Sequence, residues 1–117
     1  MGAAKIGIYR VEHPDDRLGP YVSTIRSCRP AALRMFAEQL GARHMDEDHP
    51  SPDLDDGIGR GICSFEVCGF ASLDQLHRWF TPDDLRDLQH LGFRIARYWV
   101  PFWRVTIGAA QVLFERP

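Results

Sequence analysis

Hydrophobic and polar positions alternate at both ends of the chain, which is the spacing of β-strands. The segment KIGIYRVE, residues 5–12, is largely apolar on both faces and therefore predicts a strand inside a sheet rather than at its edge. Near the C-terminus, residues 93–100, 103–107 and 110–115 alternate in the same way, separated by Pro101 and Gly108. Connections this short favour antiparallel neighbours, so these three stretches predict a β-meander.

The middle of the chain carries helical spacing instead. Apolar residues recur every three or four positions over residues 30–40, which begin at Pro30 and are followed by Gly41 as a predicted C-terminal cap. After a predicted strand at residues 62–70, Ser72 and Thr81 precede shorter periodic segments and predict helices over 73–80 and 82–91. This order predicts an α+β fold with a small mixed or antiparallel sheet, one longer helix and two short ones.

A long acidic loop is predicted between the first helix and the second strand. Residues 42–61 have no apolar periodicity and are rich in proline, glycine and carboxylates. The His49-Pro50-Ser51-Pro52 segment is stiffer than its surroundings, which suits it to present a side chain to a partner. The loop has no complete set of ligands for a metal ion. The candidate partner-binding residues are His49, Asp53, Asp55 and Asp56.

Composition narrows the class of protein. A chain of 117 residues, 44% hydrophobic, predicts one domain over residues 1–117. The net charge of -2 provides no overall field toward nucleic acid, so direct nucleic-acid binding is not expected. No apolar run approaches the roughly 18 residues that span a bilayer, and the N-terminus does not resemble a signal peptide, so the cytoplasm is the expected compartment. The odd cysteine count favours reduced thiols over a disulfide framework.

Arg10 is the most unusual residue of the first strand, because an unpaired guanidinium is costly to bury. Either it pairs with Glu12, Glu66 or Glu115 across the sheet, or it faces a ligand, since its planar fork matches phosphate and carboxylate. The aromatic residues of the second half are expected in the core rather than stacked on bases, with Phe102 and Trp103 the most exposed.

Several segments resemble ADP-ribosyltransferase-like domains: Tyr9-Arg10 on the first strand, Tyr21 in a glycine-containing loop, Gly69-Phe70-Ala71-Ser72 between strand and helix, and a late strand that starts near Gln111. The resemblance implies a site for NAD in which Arg10, Ser72 and Gln111 hold the catalytic positions and Tyr9, Tyr21 and Phe70 line the ligand. Gln111 stands where that family has a glutamate. Because a neutral amide stabilises a developing positive charge poorly, an active enzyme is not expected.

The chain also resembles small phage and prophage proteins over nearly its whole length. This resemblance rests on the segments GPY, HPSP, CGFASLDQLHRWF, GFRIARYWVP and QVLFER.

Two hypotheses for the function follow. The first is a non-catalytic accessory protein that contacts a host or phage protein, plausibly as an inhibitor of a host enzyme or defence complex, through the acidic loop. The second is an ADP-ribosyltransferase-like domain that binds NAD or another nucleotide. A loop that closes over Arg10 and Gln111 favours a small-molecule site, whereas a loop that projects away favours a partner surface.

Overall fold

The protein was analysed as a computed structural model that describes residues 4–21 and 31–117, with side chains in the second range from residue 35 onward. The described elements are β1 (Lys5–Glu12), α1 (Ala31–Arg43), β2 (Glu66–Gly69), α2 (Leu73–Trp79), α3 (Pro82–His90), β3 (Arg94–Pro101), β4 (Val105–Ile107) and β5 (Val112–Glu115), with 3-10 turns at Pro52–Leu54 and Phe102–Arg104. The predicted α+β class is confirmed. Pro30, the predicted first residue of the long helix, lies outside the described residues.

In the described part of the chain, two antiparallel sheets are joined by one backbone bridge. β1 pairs with β3 along its whole length, from Lys5 opposite Pro101 to Glu12 opposite Arg94. β5 lies between β2 and β4 in the other sheet. Tyr9 and Phe70 join the sheets by exchanging two backbone N–H···O hydrogen bonds of 2.8 and 2.7 Å. β1 therefore has neighbours on both sides, as its apolar faces predict.

The C-terminal strands divide between the two sheets. Only β4 and β5 form a hairpin of the predicted meander, because β3 pairs with β1 instead. The 3-10 turn at Phe102–Arg104 separates β3 from β4, and the Phe102 N–H donates to the Ala4 carbonyl at 2.9 Å. The chain is thus held beside β1 until β3 has ended.

Gly69 stands at the junction of the two sheets, where a larger residue does not fit. A Cβ at this position would lie 2.7 Å from Ile8 Cγ2, 2.8 Å from the Tyr9 carbonyl oxygen and 2.9 Å from Phe114 Cε1. The same close approach lets Ile8 and Val100 pack on Val112 and Phe114, all four of them fully buried. The absence of a side chain at Gly69 therefore allows both the backbone junction and the packing between sheets.

A second core lies between β1 and the helices. It contains Val11 and Phe70 together with Leu40 of α1, Leu76 and Trp79 of α2, Phe80, Leu88 of α3 and Phe93. Ser72 caps α2 by accepting a hydrogen bond from the Gln75 backbone N–H, and Thr81 caps α3, as predicted. Gly92, with φ +94°, ends α3 in the left-handed conformation that favours glycine.

Three local predictions are wrong. α1 continues through Gly41 to Arg43, so Gly41 is not its cap. The second strand begins only at Glu66, because a turn closed by the Glu66 N–H on the Cys63 carbonyl occupies the preceding residues. Trp99 is 53% exposed rather than part of the core, whereas Phe102 and Trp103 are exposed as predicted. Among the described residues, no helix is long and apolar enough to cross a membrane.

We expect Gly69→Ala to lower the free energy of unfolding by about 3 kcal/mol, the upper end of typical overpacking costs, because one obstructing atom is a backbone oxygen. The matched control is Gly61→Ala, since a Cβ there meets no atom within 4 Å; that change should stay within about 0.5 kcal/mol. Urea denaturation followed by circular dichroism measures both. Equal effects of the two substitutions would contradict the role of Gly69.

Candidate functional site

A cleft of about 820 Å³ lies between the two sheets and the acidic loop. Half of the sequence-predicted site residues border it, namely Arg10, Tyr21, His49, Phe70 and Gln111. Tyr9 and Ser72 instead border a shallower depression of about 400 Å³ that also contains Arg97. The structure therefore does not bring Ser72 together with Arg10 and Gln111.

The acidic loop closes over the cleft. The side-chain amide of Gln111 donates to the Pro50 carbonyl at 2.7 Å, and residues 49–52 form part of the cleft wall. This is the arrangement that favours a small-molecule site. It also gives Gln111 a structural role, because its amide connects the loop to the start of β5.

Asp55 anchors the same loop from inside. Its buried carboxylate accepts hydrogen bonds from the backbone N–H groups of Ala109, Ala110 and Gln111, at 2.7 to 3.2 Å. A Cβ at Gly108 would lie 2.7 Å from this carboxylate, so the turn before β5 is packed tightly against it. Asp53 and Asp56, in contrast, are exposed on the surface of the loop.

Arg10 is buried at the edge of the cleft. It donates to the Cys68 carbonyl at 2.6 Å, and its Nε lies 3.9 Å from Glu12 Oε2. Among the described residues, neither that Nε nor Glu12 Oε2 has a hydrogen-bond partner. Of the three predicted carboxylate partners, Glu12 is therefore the one that lies near, and the contact is long. Glu66 pairs with Arg60 and Glu115 with Arg104.

A second arginine increases the positive charge beside Arg10. Arg116 also borders the cleft, and its buried Nε has no hydrogen-bond partner among the described residues. Burial lowers the pKa of Arg10, and the charge of Arg116 lowers that pKa further. Glu12 is the buried carboxylate nearby, and it also accepts a hydrogen bond from the Tyr98 hydroxyl. Two guanidinium groups beside one carboxylate leave net positive charge, which suits this end of the cleft to an anion.

A hydrogen-bonded chain of Tyr21, His44 and Asp84 supports another wall of the cleft. The carboxylate of Asp84 can only accept, so His44 Nε2 donates to it, at 3.1 Å. Nδ1 of the neutral ring then accepts from the Tyr21 hydroxyl, which itself accepts from Trp79 Nε1 at 2.9 Å. Arg43 donates to the other oxygen of Asp84 at 3.0 Å. The sequence alone does not reveal this chain, because its members are far apart and share no spacing signal.

His49 extends this arrangement into the loop. Its ring stacks on that of His44 with centroids 4.0 Å apart and planes inclined by 6°. Its Nε2 lies 2.6 Å from the Trp79 carbonyl oxygen and its Nδ1 lies 2.7 Å from Asp46 Oδ1. His49 therefore connects the loop to α2 in addition to facing the cleft.

Burial favours the neutral forms of three titratable groups in or beside the cleft. Burial raises the pKa of Tyr21 well above its ordinary value, so this residue stays a neutral phenol. Burial also raises the pKa of the Cys68 thiol, which disfavours the reactive thiolate. Burial lowers the pKa of His44, in agreement with a neutral ring that accepts from Tyr21.

The fold and the site define the class of the protein, a small α+β protein with a cleft between two sheets and a loop. The family described as Bacteriophage T4 Y00F protein matches residues 1–117, and the chain belongs to this family of phage proteins. The resemblance to small phage proteins is thereby confirmed. Comparison with curated proteins and with solved structures gave no match, and an ADP-ribosyltransferase-like fold has no support from these findings.

Because the pKa of His44 is lower in the folded protein than its ordinary 6.5, the unfolded chain takes up a proton that the folded chain excludes as the pH falls below about 6.5. We therefore expect the titration of His44 to leave the free energy of unfolding unchanged above that pH and to lower it below that pH, by at most about 1.4 kcal/mol per pH unit. Denaturant titrations between pH 7 and 5 measure this slope.

His44→Gln should flatten the dependence, whereas substitution of the exposed His90 by glutamine should leave it unchanged. An unaltered slope in His44→Gln would show that other groups cause the dependence.

Proposed function

We propose that the protein is a non-catalytic phage accessory protein whose cleft binds a small anionic ligand of the nucleotide class, with NAD as one member of that class. The single observation that carries this proposal is the pair of the buried Arg10 and the half-buried Arg116, both at the cleft and each with an Nε that lacks a hydrogen-bond partner among the described residues. Arginine is the side chain best suited to bind phosphate, and a phosphate group in the cleft would balance the positive charge of this pair.

The remaining walls of the cleft suit a flat ring. Tyr21, Phe70, Trp79 and Phe80 contribute aromatic surface, and Phe65 borders the cleft with 63% of its surface exposed. Aromatic side chains stack on any nucleobase because each base has a π face. A volume of about 820 Å³ lies within the roughly 300–1,000 Å³ range of small-molecule pockets. A nucleotide thus has a recognition element at both ends.

The resemblance to ADP-ribosyltransferase-like domains implies Ser72 and Gln111 as catalytic residues, and their positions in the structure support binding without ADP-ribosyl transfer. Ser72 serves as a helix cap outside the cleft, and the Gln111 amide is engaged by the loop. An amide also lacks the negative charge that would stabilise an oxocarbenium-like transition state. We therefore assign structural roles to Ser72 and Gln111, and we assign ligand binding to Arg10.

Isothermal titration calorimetry with NAD, ADP and inorganic pyrophosphate tests this proposal. We expect NAD and ADP to bind, and Arg116→Gln to weaken both by about 10- to 100-fold, the effect of losing one hydrogen bond to a charged group. Arg86→Gln is the matched control, since Arg86 is exposed on α3 and pairs only with the exposed Asp83 among the described residues. Arg10→Lys, which keeps the charge and removes the fork, should weaken binding as well.

If none of the three compounds binds at about 1 mM, where a matching Kd corresponds to a binding free energy of roughly -4 kcal/mol, the proposal is rejected. Binding that both arginine substitutions leave unchanged would reject the assignment of the anion to this end of the cleft.

The outer surface of the acidic loop supports a second candidate function, contact with a basic partner such as a host enzyme or defence complex. Glu47, Asp48 and Asp56 border a depression of about 530 Å³, beside Leu54, which is 75% exposed. An apolar side chain surrounded by carboxylates suits a basic protein surface with an apolar centre. Asp53 is exposed on the same loop, whereas Asp55 is buried and is excluded from this surface.

We expect Asp53→Asn with Asp56→Asn to weaken capture of a partner from host extract, and we expect the wild-type interaction to fall steeply as salt rises from about 0.05 to 0.3 M. Pull-down with quantitative mass spectrometry measures both effects. Joint substitution of the exposed Asp74 on α2 and the exposed Asp87 on α3 by asparagine removes the same two charges and is the control for total charge. Capture that is insensitive to salt and to both loop substitutions would exclude the loop as the contact surface.

A further inference from the structure

β3 has an open edge in the described part of the chain. One side of the strand pairs with β1, and no other described strand pairs with the opposite side. An open edge of eight residues presents a row of unpaired backbone groups, which other chains can use as a template.

The junction between the sheets determines which backbone groups face this edge. Tyr9 exchanges hydrogen bonds with Phe70, so its N–H and C=O face away from β3. Backbone groups of successive strand residues face opposite sides, so Ile8 and Arg10 face β3 and pair with Tyr98 and Ala96. The Phe102 bond to Ala4 continues the same alternation. Consequently the N–H and C=O groups of Ile95, Arg97 and Trp99 face the open edge.

A basic groove of about 400 Å³ runs along this edge. It is bordered by residues 94–98 and by Arg17, so that three arginines, Arg17, Arg94 and Arg97, line it. Arg17 has φ 58°, a left-handed conformation that is uncommon outside glycine. Its guanidinium donates to the Tyr98 hydroxyl at 3.1 Å and lies 5.7 Å from the ring centroid. Arg17 is thereby held beside the groove.

The side chains on the outward residues suit a bound strand. Ile95 is 43% and Trp99 53% exposed, so both offer apolar surface. The Arg97 guanidinium carbon lies 4.5 Å from the Trp99 ring centroid and 5.4 Å from that of Tyr9, so its charge is held on one face of the β1–β3 sheet. A strand that pairs here would meet positive charge from Arg97 on one face and from Arg17 and Arg94 on the other.

We propose that the open edge of β3 binds an extended acidic segment of a partner protein by β-strand addition. A second copy of β3 is disfavoured, because a two-fold axis centred on the outward residues would place Arg97 opposite Arg97, and like charges opposite each other destabilise a strand pair. A nucleic acid would match the charge but has no amide backbone to pair with the exposed N–H and C=O groups. β3 does not line the cleft, so this binding is independent of a ligand there.

Amide hydrogen exchange by nuclear magnetic resonance tests the proposal with a synthetic peptide of alternating glutamate and valine as the probe. In the protein alone, the amides of Ile95, Arg97 and Trp99 should exchange faster than those of Ala96 and Tyr98. The peptide should slow exchange of the three outward amides at least about tenfold, the effect expected from new backbone hydrogen bonds. A lysine–valine peptide of the same length should have no effect.

Two substitutions separate the backbone from the charge. Ile95→Pro removes one outward N–H without removing a hydrogen bond to β1. It should abolish the slowing of amide exchange by the glutamate peptide, whereas Ile95→Ala should retain that slowing. Arg97→Gln should weaken peptide binding about tenfold or more, as expected for one lost charge-assisted hydrogen bond, and it serves as the test if Ile95→Pro fails to fold.

Absence of protection of the three outward amides at about 1 mM glutamate peptide would overturn the proposal. Equal protection by the lysine peptide, or by oligothymidylate, would overturn the assignment of an acidic peptide.

Discussion

The pair of backbone hydrogen bonds between Tyr9 and Phe70 is the constraint on which the remaining structure depends. These bonds bring two sheets into contact at one residue, and only glycine at position 69 allows the approach. The same contact places Arg10 and Phe70 at one cleft and determines which residues of β3 direct their backbone groups toward the open edge. One local geometry thus affects both the cleft and the edge.

Buried carboxylates organise the second half of the structure. Asp55 satisfies three backbone N–H groups at the turn before β5, and Asp84 receives hydrogen bonds from His44 and Arg43. A carboxylate in the interior is tolerated only when hydrogen bonds replace its water, and these two are surrounded by donors. Through them a loop with the composition of a solvated segment becomes a wall of the cleft. The loop therefore combines an ordered inner side with a charged outer side.

Charge is distributed unevenly over the molecule, although its net value is small. Arginines border the cleft and the edge of β3, whereas the exposed carboxylates of the loop lie around a separate depression. The net charge of -2 therefore does not indicate the sign of the local electrostatic field at each of these surfaces. The binding that we propose at separate surfaces would suit an accessory protein of a phage family.

The sequence by itself determined the α+β class and the two capped short helices, because these depend on local spacing and on capping residues that act within a few positions. It also marked Arg10, since a guanidinium in an apolar strand needs a partner wherever the strand lies. Only the tertiary structure decided that Asp55 is buried, that Ser72 is separated from Arg10, and that Tyr21, His44 and Asp84 form one chain. Those facts depend on contacts between residues distant in sequence, which side-chain periodicity does not encode.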